Sequence, residues 1–278
     1  MSTVASSPRS SGSGSAAPKW LTKATTSPSE RPAALVIAGP PGVGKSSLAG
    51  NIPGAIAMPF SGEDTWSQLK AIGSVPKDLV VLPPISSYAD MLAVINELAT
   101  ETHDYKALIV DTMNVAEKLC HAHVCNRDYK GDMGKNGFQS YMGGYETAAT
   151  EWRVLLNSLD KLRDKQMRLI LLAHTKVKAF KNPLGPDYDR YVVDVHEKTW
   201  GVTHGWADAV LFCNYYVAVD ESGNRPKGKG GDTRLIHTTY SAAYDGKNRY
   251  NLPAEIDMGN SGSEAWGNLV NAIKKGRQ

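Results

Sequence analysis

The chain alternates short apolar runs with longer amphipathic segments from residue 33 onward. Six of the apolar runs are predicted β-strands. Most of them lack the alternation of apolar and polar residues, which is typical of strands covered on both faces of a parallel sheet. The six predicted strands are Ala33–Ala38, Ala55–Met58, Leu79–Leu82, Ala107–Asp111, Leu169–Ala173 and Ala209–Tyr215.

Helices are predicted between and after these strands. Glu146–Arg163 carries apolar residues three and four positions apart, which predicts a helix with one face on the core. Tyr88–Ala99 is a second predicted helix, and Ser261 and Glu264 form a capping-box pattern before a third at the C-terminus. Strands that alternate with helices predict an α/β fold, in which a mostly parallel twisted sheet is flanked by helices.

The segment after Tyr215 has a different pattern. Val217–Val219 and Arg234–Tyr240 are predicted as paired antiparallel strands around a turn rich in Gly and Lys, Asn224–Gly231. We therefore expect the parallel sheet to be finished by a C-terminal antiparallel hairpin.

The chain divides into three predicted parts. Residues 1–30 are dominated by Ser, Thr, Ala, Gly and Pro, so they cannot bury enough apolar surface to offset their ordering entropy, and they are predicted to form a disordered tail. Residues 31–258 are predicted as one α/β domain, and residues 259–278 as a C-terminal helix.

Composition narrows the class of protein only a little. The 278 residues carry a formal net charge of +3, which is compatible with a nucleic-acid partner but does not by itself indicate one. Three cysteines form no disulfide framework, and no apolar stretch approaches the length that spans a bilayer. The first residues contain no apolar core region, so we do not expect a secretory signal there. We expect a cytoplasmic protein without a membrane partner.

A glycine-rich loop joins the first predicted strand to a helix start. Its sequence, Gly39-Pro-Pro-Gly-Val-Gly-Lys-Ser46, fits the phosphate-loop (P-loop) pattern in the strand-to-helix context that this pattern requires. Successive backbone N–H groups of such a loop point at the phosphates of a nucleotide. We therefore expect ATP to bind here. The predicted contacts are Gly39, Pro40, Pro41, Gly42, Val43, Gly44, Lys45, Ser46 and Ser47.

A carboxylate at the end of another strand is the predicted second half of the site. Asp111 ends an apolar strand, at the sheet edge where ligands gather in open α/β folds. There it could hold a water bound to Mg²⁺, while the Ser46 hydroxyl ligates the ion directly. Ser46 and Asp111 are the predicted metal-site residues, and Lys45 and Asp111 are also predicted to act in catalysis.

The residue that activates water is less well defined by the sequence. Glu63 and Asp64 follow the second strand, and Glu63 is the preferred candidate for the catalytic carboxylate; both could equally be solvated turn residues. His174 directly follows the strand Leu169–Ala173, where its side chain could sense the γ-phosphate of ATP.

The order of several motifs resembles a known family. GPPGVGKSS is followed by ALIVDT, by AHTKVK after a long helix, by DYDRYVVDVHEKTW and by GWADAVLF. This order resembles the phage-encoded RecA-like ATPases, which include the Sak-type single-strand annealing recombinases. The resemblance covers residues 33–255. It implies a RecA-like ATPase domain that couples ATP hydrolysis to binding of single-stranded DNA in phage recombination or replication, and that assembles into a homo-oligomeric ring or filament.

The resemblance also suggests a residue pair that acts between subunits. RecA-like hexameric helicases carry a Lys-x-Arg pair that reaches the γ-phosphate of the neighbouring subunit, and Lys247 and Arg249 have the same spacing. Residues two apart on an extended strand share a face. We therefore predict that Lys247 and Arg249 act in catalysis on the neighbour's ATP.

Two long connections are predicted to hold DNA. Residues 126–145 and 175–200 interleave cations with aromatic residues, the chemistry of sequence-tolerant single-strand binding, and the matching loops of RecA-like proteins hold DNA. The alternative is two solvated surface loops. The predicted contacts are Arg127, Lys130, Lys135, Tyr141, Lys176, Lys178, Lys181 and Arg190. A phage single-strand-binding protein is a further expected partner.

Two other functions fit the nucleotide-binding motifs. A P-loop kinase acting on a nucleotide or another small molecule would usually carry an arginine-rich lid, and no such segment is present. A loader or scaffold gated by ATP would bind the nucleotide but turn it over negligibly, and this function stays open because the role of Glu63 is not fixed by the sequence. A test of ATP turnover with and without single-stranded DNA separates these functions.

Overall fold

The computed structural model describes residues 31–62, 65–220 and 227–276. The predicted tail, residues 1–30, lies outside this range. So do Glu63 and Asp64, and with them the preferred candidate for the catalytic carboxylate.

The described part of the chain forms ten strands and seven α-helices. The strands are β1 (Ala34–Gly39), β2 (Ala55–Pro59), β3 (Val80–Val81), β4 (Ala107–Asp111), β5 (Arg168–Phe180), β6 (Tyr188–Val193), β7 (Ala209–Asp220), β8 (Lys227–His237), β9 (Lys247–Asn248) and β10 (Glu255–Asp257). The helices are α1 (Lys45–Gly50), α2 (Trp66–Ala71), α3 (Tyr88–Thr100), α4 (Met113–Asp128), α5 (Gly143–Asp164), α6 (Glu197–Trp206) and α7 (Gly262–Gly276). A 3-10 turn at Ser140–Met142 precedes α5. None of the described helices is long and apolar enough to cross a membrane.

One large sheet organises the molecule, in the order β10-β8-β7-β1-β5-β4-β2-β3. The strands from β7 to β3 in this order are parallel, and β8 and β10 are antiparallel additions at one side. β1 lies between β5 and β7, while β4 lies beyond β5. The predicted α/β fold, with a mostly parallel sheet and terminal antiparallel strands, is therefore confirmed.

Both faces of the central strands are buried, as their continuous apolar character predicts. On β1, Ala34, Val36 and Ala38 belong to a core shared with α3, α4, α5 and α6. The alternate residues Leu35 and Ile37 belong to a second core, shared with α1, α2 and α7. Because successive side chains of a strand point to opposite faces, one apolar run contributes to two cores.

The predicted helices lie where the sequence pattern placed them. α5 begins at Gly143 and α3 ends at Thr100, each close to its predicted boundary. At the start of α7, the Ser261 hydroxyl accepts a hydrogen bond from Glu264 N at 3.1 Å. The Glu264 carboxylate accepts one from Asn260 N at 2.8 Å. The capping box therefore forms, except that the Glu264 carboxylate bonds to the N–H of Asn260 and not to that of the N-cap residue Ser261.

Two strand predictions differ from the structure. The predicted strand Leu79–Leu82 shrinks to Val80–Val81 at the sheet edge, because Pro83 and Pro84 follow and proline cannot donate to a ladder. The predicted turn Asn224–Gly231 is too long: β8 already begins at Lys227, and Gly230 pairs with Val217. The antiparallel hairpin is confirmed, but its second strand is shifted toward the N-terminus.

The segment 175–200, which the sequence analysis treated as one long connection, is largely regular structure. β5 continues past the sheet to Phe180, turns, and pairs with β6 in an antiparallel hairpin, after which α6 begins at Glu197. The first predicted connection, residues 126–145, is also shorter than expected, because α4 extends to Asp128 and α5 begins at Gly143.

Asp208 holds the amino edge of the sheet together, opposite the phosphate loop. Its carboxylate accepts hydrogen bonds from Ala34 N at 3.0 Å and from the Arg163 guanidinium at 2.6 Å. It also lies near the Tyr250 hydroxyl and Arg249. These contacts give Asp208 a structural role at this edge of the sheet.

Replacing Asp208 by alanine should lower the free energy of unfolding by about 3 kcal/mol, because it removes the carboxylate from the buried Arg163. Urea denaturation measures this loss. The matched control is Asp164→Ala, which breaks a surface ion pair to Arg31 and should lower stability by less than about 1 kcal/mol. Equal effects of the two substitutions would contradict the prediction.

Candidate nucleotide-binding site

The three glycines of the phosphate loop are required by the backbone geometry. Gly42 and Gly44 have φ angles of 80° and 102°, in the region that disfavours side chains. A Cβ atom on Gly39 would lie 2.3 Å from the Cys213 carbonyl oxygen on the neighbouring strand β7. The loop leads directly into α1 through the bond from Leu48 N to Gly44 O at 2.9 Å.

Lys45 is the first residue of α1, and its side chain turns back over the loop. The ammonium group donates to the carbonyl oxygens of Gly39 and Pro40, both at 2.9 Å. Only 5% of the residue is exposed. A buried ammonium group held beside a cradle of backbone N–H groups attracts an anion.

Ser46 and Asp111 meet across two elements. The Ser46 hydroxyl donates to the Asp111 carboxylate at 3.2 Å, which places the α1 start against the end of β4. A hydroxyl and a carboxylate are the hard oxygen donors that Mg²⁺ prefers. The two residues therefore fit the divalent ion that accompanies a nucleotide, as predicted for them.

A pocket of about 380 Å³ opens beside these groups. It contains the loop, Asp111 and His174, and it extends to Gly62, Thr65 and Leu69 at the start of α2. His174 stands opposite Gly39 in the register between β1 and β5, so it belongs to the phosphate end of the pocket. Glu63 follows a pocket residue directly in sequence, although it lies outside the described part of the chain.

Three residues that the sequence analysis did not single out do not line the pocket but contact elements that carry it. The Asn114 amide holds the backbone of His174, accepting from its N–H at 2.7 Å. The Tyr215 hydroxyl donates to Gly42 O at 3.3 Å, and a guanidinium nitrogen of Arg234 lies 2.8 Å from where a Cβ on Gly44 would be. Tyr215 and Arg234 oppose each other on β7 and β8. No sequence signal marks them, because only tertiary pairing brings them to the loop.

Lys247 and Arg249 lie at the opposite edge of the sheet from the phosphate loop. β9 pairs with the first residues of β7, and those residues stand level with the beginning of β1. At ~3.3 Å per residue, the two edges are separated by about 13 Å of strand. The Lys247 ammonium donates to the carbonyl oxygens of His204 and Gly205, at the end of α6. Their action on a neighbour's nucleotide stays a prediction.

The predicted DNA-binding cations on the second connection stand on the β5–β6 hairpin. Lys176 and Lys178 are two residues apart on β5 and share a face, and both are exposed. Lys181 is at the tip, 2.7 Å from Asp187. Arg190 requires a correction: it is buried, pairs with Asp245 at 2.7 Å, and lies over the ring of Phe180. It stabilises the hairpin and is not an available cation.

The first connection offers fewer free contacts than its composition indicated. Arg127 forms a bidentate pair with Asp128 and a further bond to Glu151 at 2.7 Å. Lys130 and Lys135 are exposed, and the Tyr141 ring is fully exposed. These three remain available for a DNA contact, whereas Arg127 is already used within the chain.

A second, larger cavity lies beside the hairpin, with a volume of about 790 Å³. Lys176 and Lys178 line one side, and the stacked rings of Tyr145 and His196, 4.0 Å apart, line another. Burial raises the pKa of the Glu117 carboxyl on its wall and lowers the pKa of His196. The cavity therefore combines ammonium groups with an aromatic wall.

The fold and the site together define a P-loop ATPase with an α/β fold. The phosphate loop follows β1, and Asp111 ends β4. Between β1 and β4 in the sheet lies β5, which carries His174. The family model described as an AAA domain matches residues 31–250. The chain belongs to this AAA domain family, whose members bind a nucleotide with a divalent metal.

Comparison with individual proteins adds little to this assignment. No curated protein sequence matches the chain. Among solved structures, the flagellar accessory protein FlaH from Methanocaldococcus jannaschii is similar, with a TM-score of 0.40 and 12% sequence identity. The alignment covers 82% of this chain and 84% of FlaH.

Proposed function

We propose that this chain hydrolyses ATP with Mg²⁺ and binds single-stranded DNA along the β5–β6 hairpin, in phage recombination or replication. The observation that carries the proposal is the continuity of β5. The same strand carries His174 in the nucleotide pocket and, two and four residues later, Lys176 and Lys178 beside the second cavity.

The nucleotide end of this proposal uses the groups already described. The backbone of Gly42–Ser46 and the Lys45 ammonium hold the phosphates, while Ser46 and Asp111 hold Mg²⁺. The ion neutralises charge on the phosphate oxygens when bound. Glu63 orients or deprotonates the attacking water, and His174 contacts the γ-phosphate. Copies of the chain assemble so that Arg249 of one protomer completes the site of the next.

The DNA end combines two kinds of contact. Ammonium groups on the hairpin neutralise phosphates, and exposed rings offer faces on which unpaired bases stack. Lys176 is 53% exposed although it pairs with Asp194, so it can exchange a carboxylate for a phosphate. Lys130, Lys135 and Tyr141 extend the same kind of surface on the first connection.

The double substitution Lys176→Ala/Lys178→Ala should weaken binding of a fluorescent oligothymidylate about ten-fold or more at low salt. It should also reduce the slope of log K against log salt by roughly 1.4, the value for two phosphate contacts on single strands. Fluorescence anisotropy over a salt series measures both. The matched control is Lys274→Ala/Lys275→Ala, which removes the same charge from the exposed end of α7.

Three outcomes would count against the proposal. Equal loss in the two double variants would indicate only a general charge effect. Absence of DNA binding by the wild-type chain in every nucleotide state, with no turnover of ATP, would favour a nucleotide-gated scaffold. A phosphorylated product in a screen of nucleosides and nucleotides would favour a kinase.

A further inference from the structure

Asn114 lies at the point where the β5–β6 hairpin leaves the main sheet. Only 6% of Asn114 is exposed. Both the carbonyl oxygen and the nitrogen of its side-chain amide form hydrogen bonds within the protein. The carbonyl oxygen accepts from His174 N at 2.7 Å, and the amide nitrogen donates to Asp194 O at 2.7 Å. The same nitrogen lies 3.4 Å from His174 O.

The two partners of Asn114 are the two ends of the hairpin. His174 precedes the residues of β5 that pair with β6, and Asp194 follows the last residue of β6. Asp194 N also donates to His174 O at 2.9 Å, and the Asp194 carboxylate pairs with Lys176 at 2.6 Å. The buried Asn114 side chain therefore joins the two ends of the hairpin. It also holds Asp194, the residue that pairs with Lys176.

Asn114 is equally close to the nucleotide site along the chain. It stands three residues after Asp111, in the first turn of α4. One turn later, the buried Glu117 accepts a hydrogen bond from His196 N at 2.8 Å, beyond the hairpin. Helix α4 thus begins two residues after Asp111, the predicted metal-site residue. It contacts the base of the hairpin through Asn114 and the segment after the hairpin through Glu117, and both side chains are buried.

We infer that Asn114 is a positioning residue that transmits nucleotide occupancy at the phosphate loop to the β5–β6 hairpin. When Asp111 and His174 adjust to a bound nucleotide, the first turn of α4 and the part of β5 around His174 shift together. Asn114 carries that shift to Asp194 and hence to Lys176. The inference rests on the nucleotide binding of the proposed function and not on its DNA binding.

The chemistry of the position explains why an amide is present. The site requires an acceptor for His174 N and a donor for Asp194 O, and an asparagine side chain supplies both. Aspartate keeps the acceptor but sets a carboxylate against the Asp194 carbonyl oxygen. Alanine removes both bonds. The two substitutions therefore separate loss of the donor from loss of the whole contact.

Hydrogen exchange followed by mass spectrometry tests the inference without DNA. In the wild-type chain, a non-hydrolysable ATP analogue with Mg²⁺ should slow exchange of the hairpin amides, residues 175–193, by about five-fold or more, a usual size for coupling between sites. In Asn114→Asp and Asn114→Ala this response should disappear, while affinity for a fluorescent nucleotide stays within about three-fold of wild type, because Asn114 does not line the nucleotide pocket.

The control is Asn126→Ala, an exposed asparagine at the far end of the same helix, which should keep the wild-type response. If bound nucleotide left the exchange of the hairpin amides unchanged in the wild-type chain, the inference would be overturned, whatever the variants showed. An unchanged response in both Asn114 variants, or loss of nucleotide binding in both, would also overturn it. Failure of the wild-type chain to bind nucleotide at all would instead overturn the proposed function and this inference together.

Discussion

Replacing Lys45 by alanine should reduce ATP turnover by at least about 10²–10³-fold, the loss typical of removing one group that stabilises charge in a transition state. Lys45 is buried, and the carbonyl oxygens of Gly39 and Pro40 orient its ammonium at the loop. Neighbouring backbone N–H groups are dipoles and cannot supply the missing full charge. Release of inorganic phosphate measures turnover, and a fluorescent nucleotide measures binding.

The control for this substitution is Lys77→Ala, at an exposed lysine remote from the loop in sequence. It should leave turnover unchanged within about two-fold, since isolated surface charges contribute little. Turnover that persists in Lys45→Ala at the wild-type rate would show that hydrolysis occurs elsewhere or comes from a contaminating enzyme. Loss of turnover in both variants would indicate damage to the fold.

The phosphate loop could be predicted from sequence because its chemistry is local. Positions 42 and 44 require glycine, because residues with a side chain rarely adopt their positive φ angles. Lys45 and Ser46 follow directly as the first two residues of α1. Asp111 could be placed for a similar reason: parallel strands end at one edge, so the last residue of an apolar strand falls near the loop. The 3.2 Å contact with Ser46 agrees with that placement.

The β5–β6 hairpin was missed although its alternation is visible. Residues 176–179 alternate a lysine with an apolar residue, as a strand does, but the many cations and aromatics over residues 175–200 favoured a loop. Arg190 was misassigned for a related reason. A sequence does not show that Asp245, 55 residues away, neutralises this guanidinium. Burial of a charge depends on a partner that only the tertiary structure supplies.

The positions of Lys247 and Arg249 sharpen the prediction of action between subunits. Within one chain, both lie at the sheet edge opposite the phosphate loop, so neither approaches its own nucleotide. Lys247 is engaged with the carbonyl oxygens at the end of α6. The Arg249 side chain is 54% exposed, and its contact is a 3.2 Å ion pair with Asp208. Arg249 is therefore the member of the pair that is available to another protomer.

Replacing Arg249 by alanine should reduce ATP turnover by roughly three to five decades while nucleotide affinity stays near the wild-type value, as expected for a cation supplied in trans to the transferring phosphoryl group. The fold should survive, because Asp208 keeps its bond to Arg163. Arg168→Ala is the matched control: it removes another exposed arginine, at the start of β5 on the same sheet edge, and should leave turnover unchanged.

Mixing inactive variants distinguishes action in trans from action within one chain. A Lys45→Ala protomer retains Arg249, and an Arg249→Ala protomer retains an intact phosphate loop, so mixed assemblies contain some complete sites and should regain part of the activity. A mixture of Arg249→Ala with the double variant Lys45→Ala/Arg249→Ala contains none and should stay inactive. If the first mixture remained as inactive as its components while co-assembly was demonstrated by pull-down, Arg249 would not complete a neighbour's site. Weakened nucleotide binding with normal turnover in Arg249→Ala would contradict the prediction as well, because a group that acts only on the transition state leaves ground-state affinity unchanged.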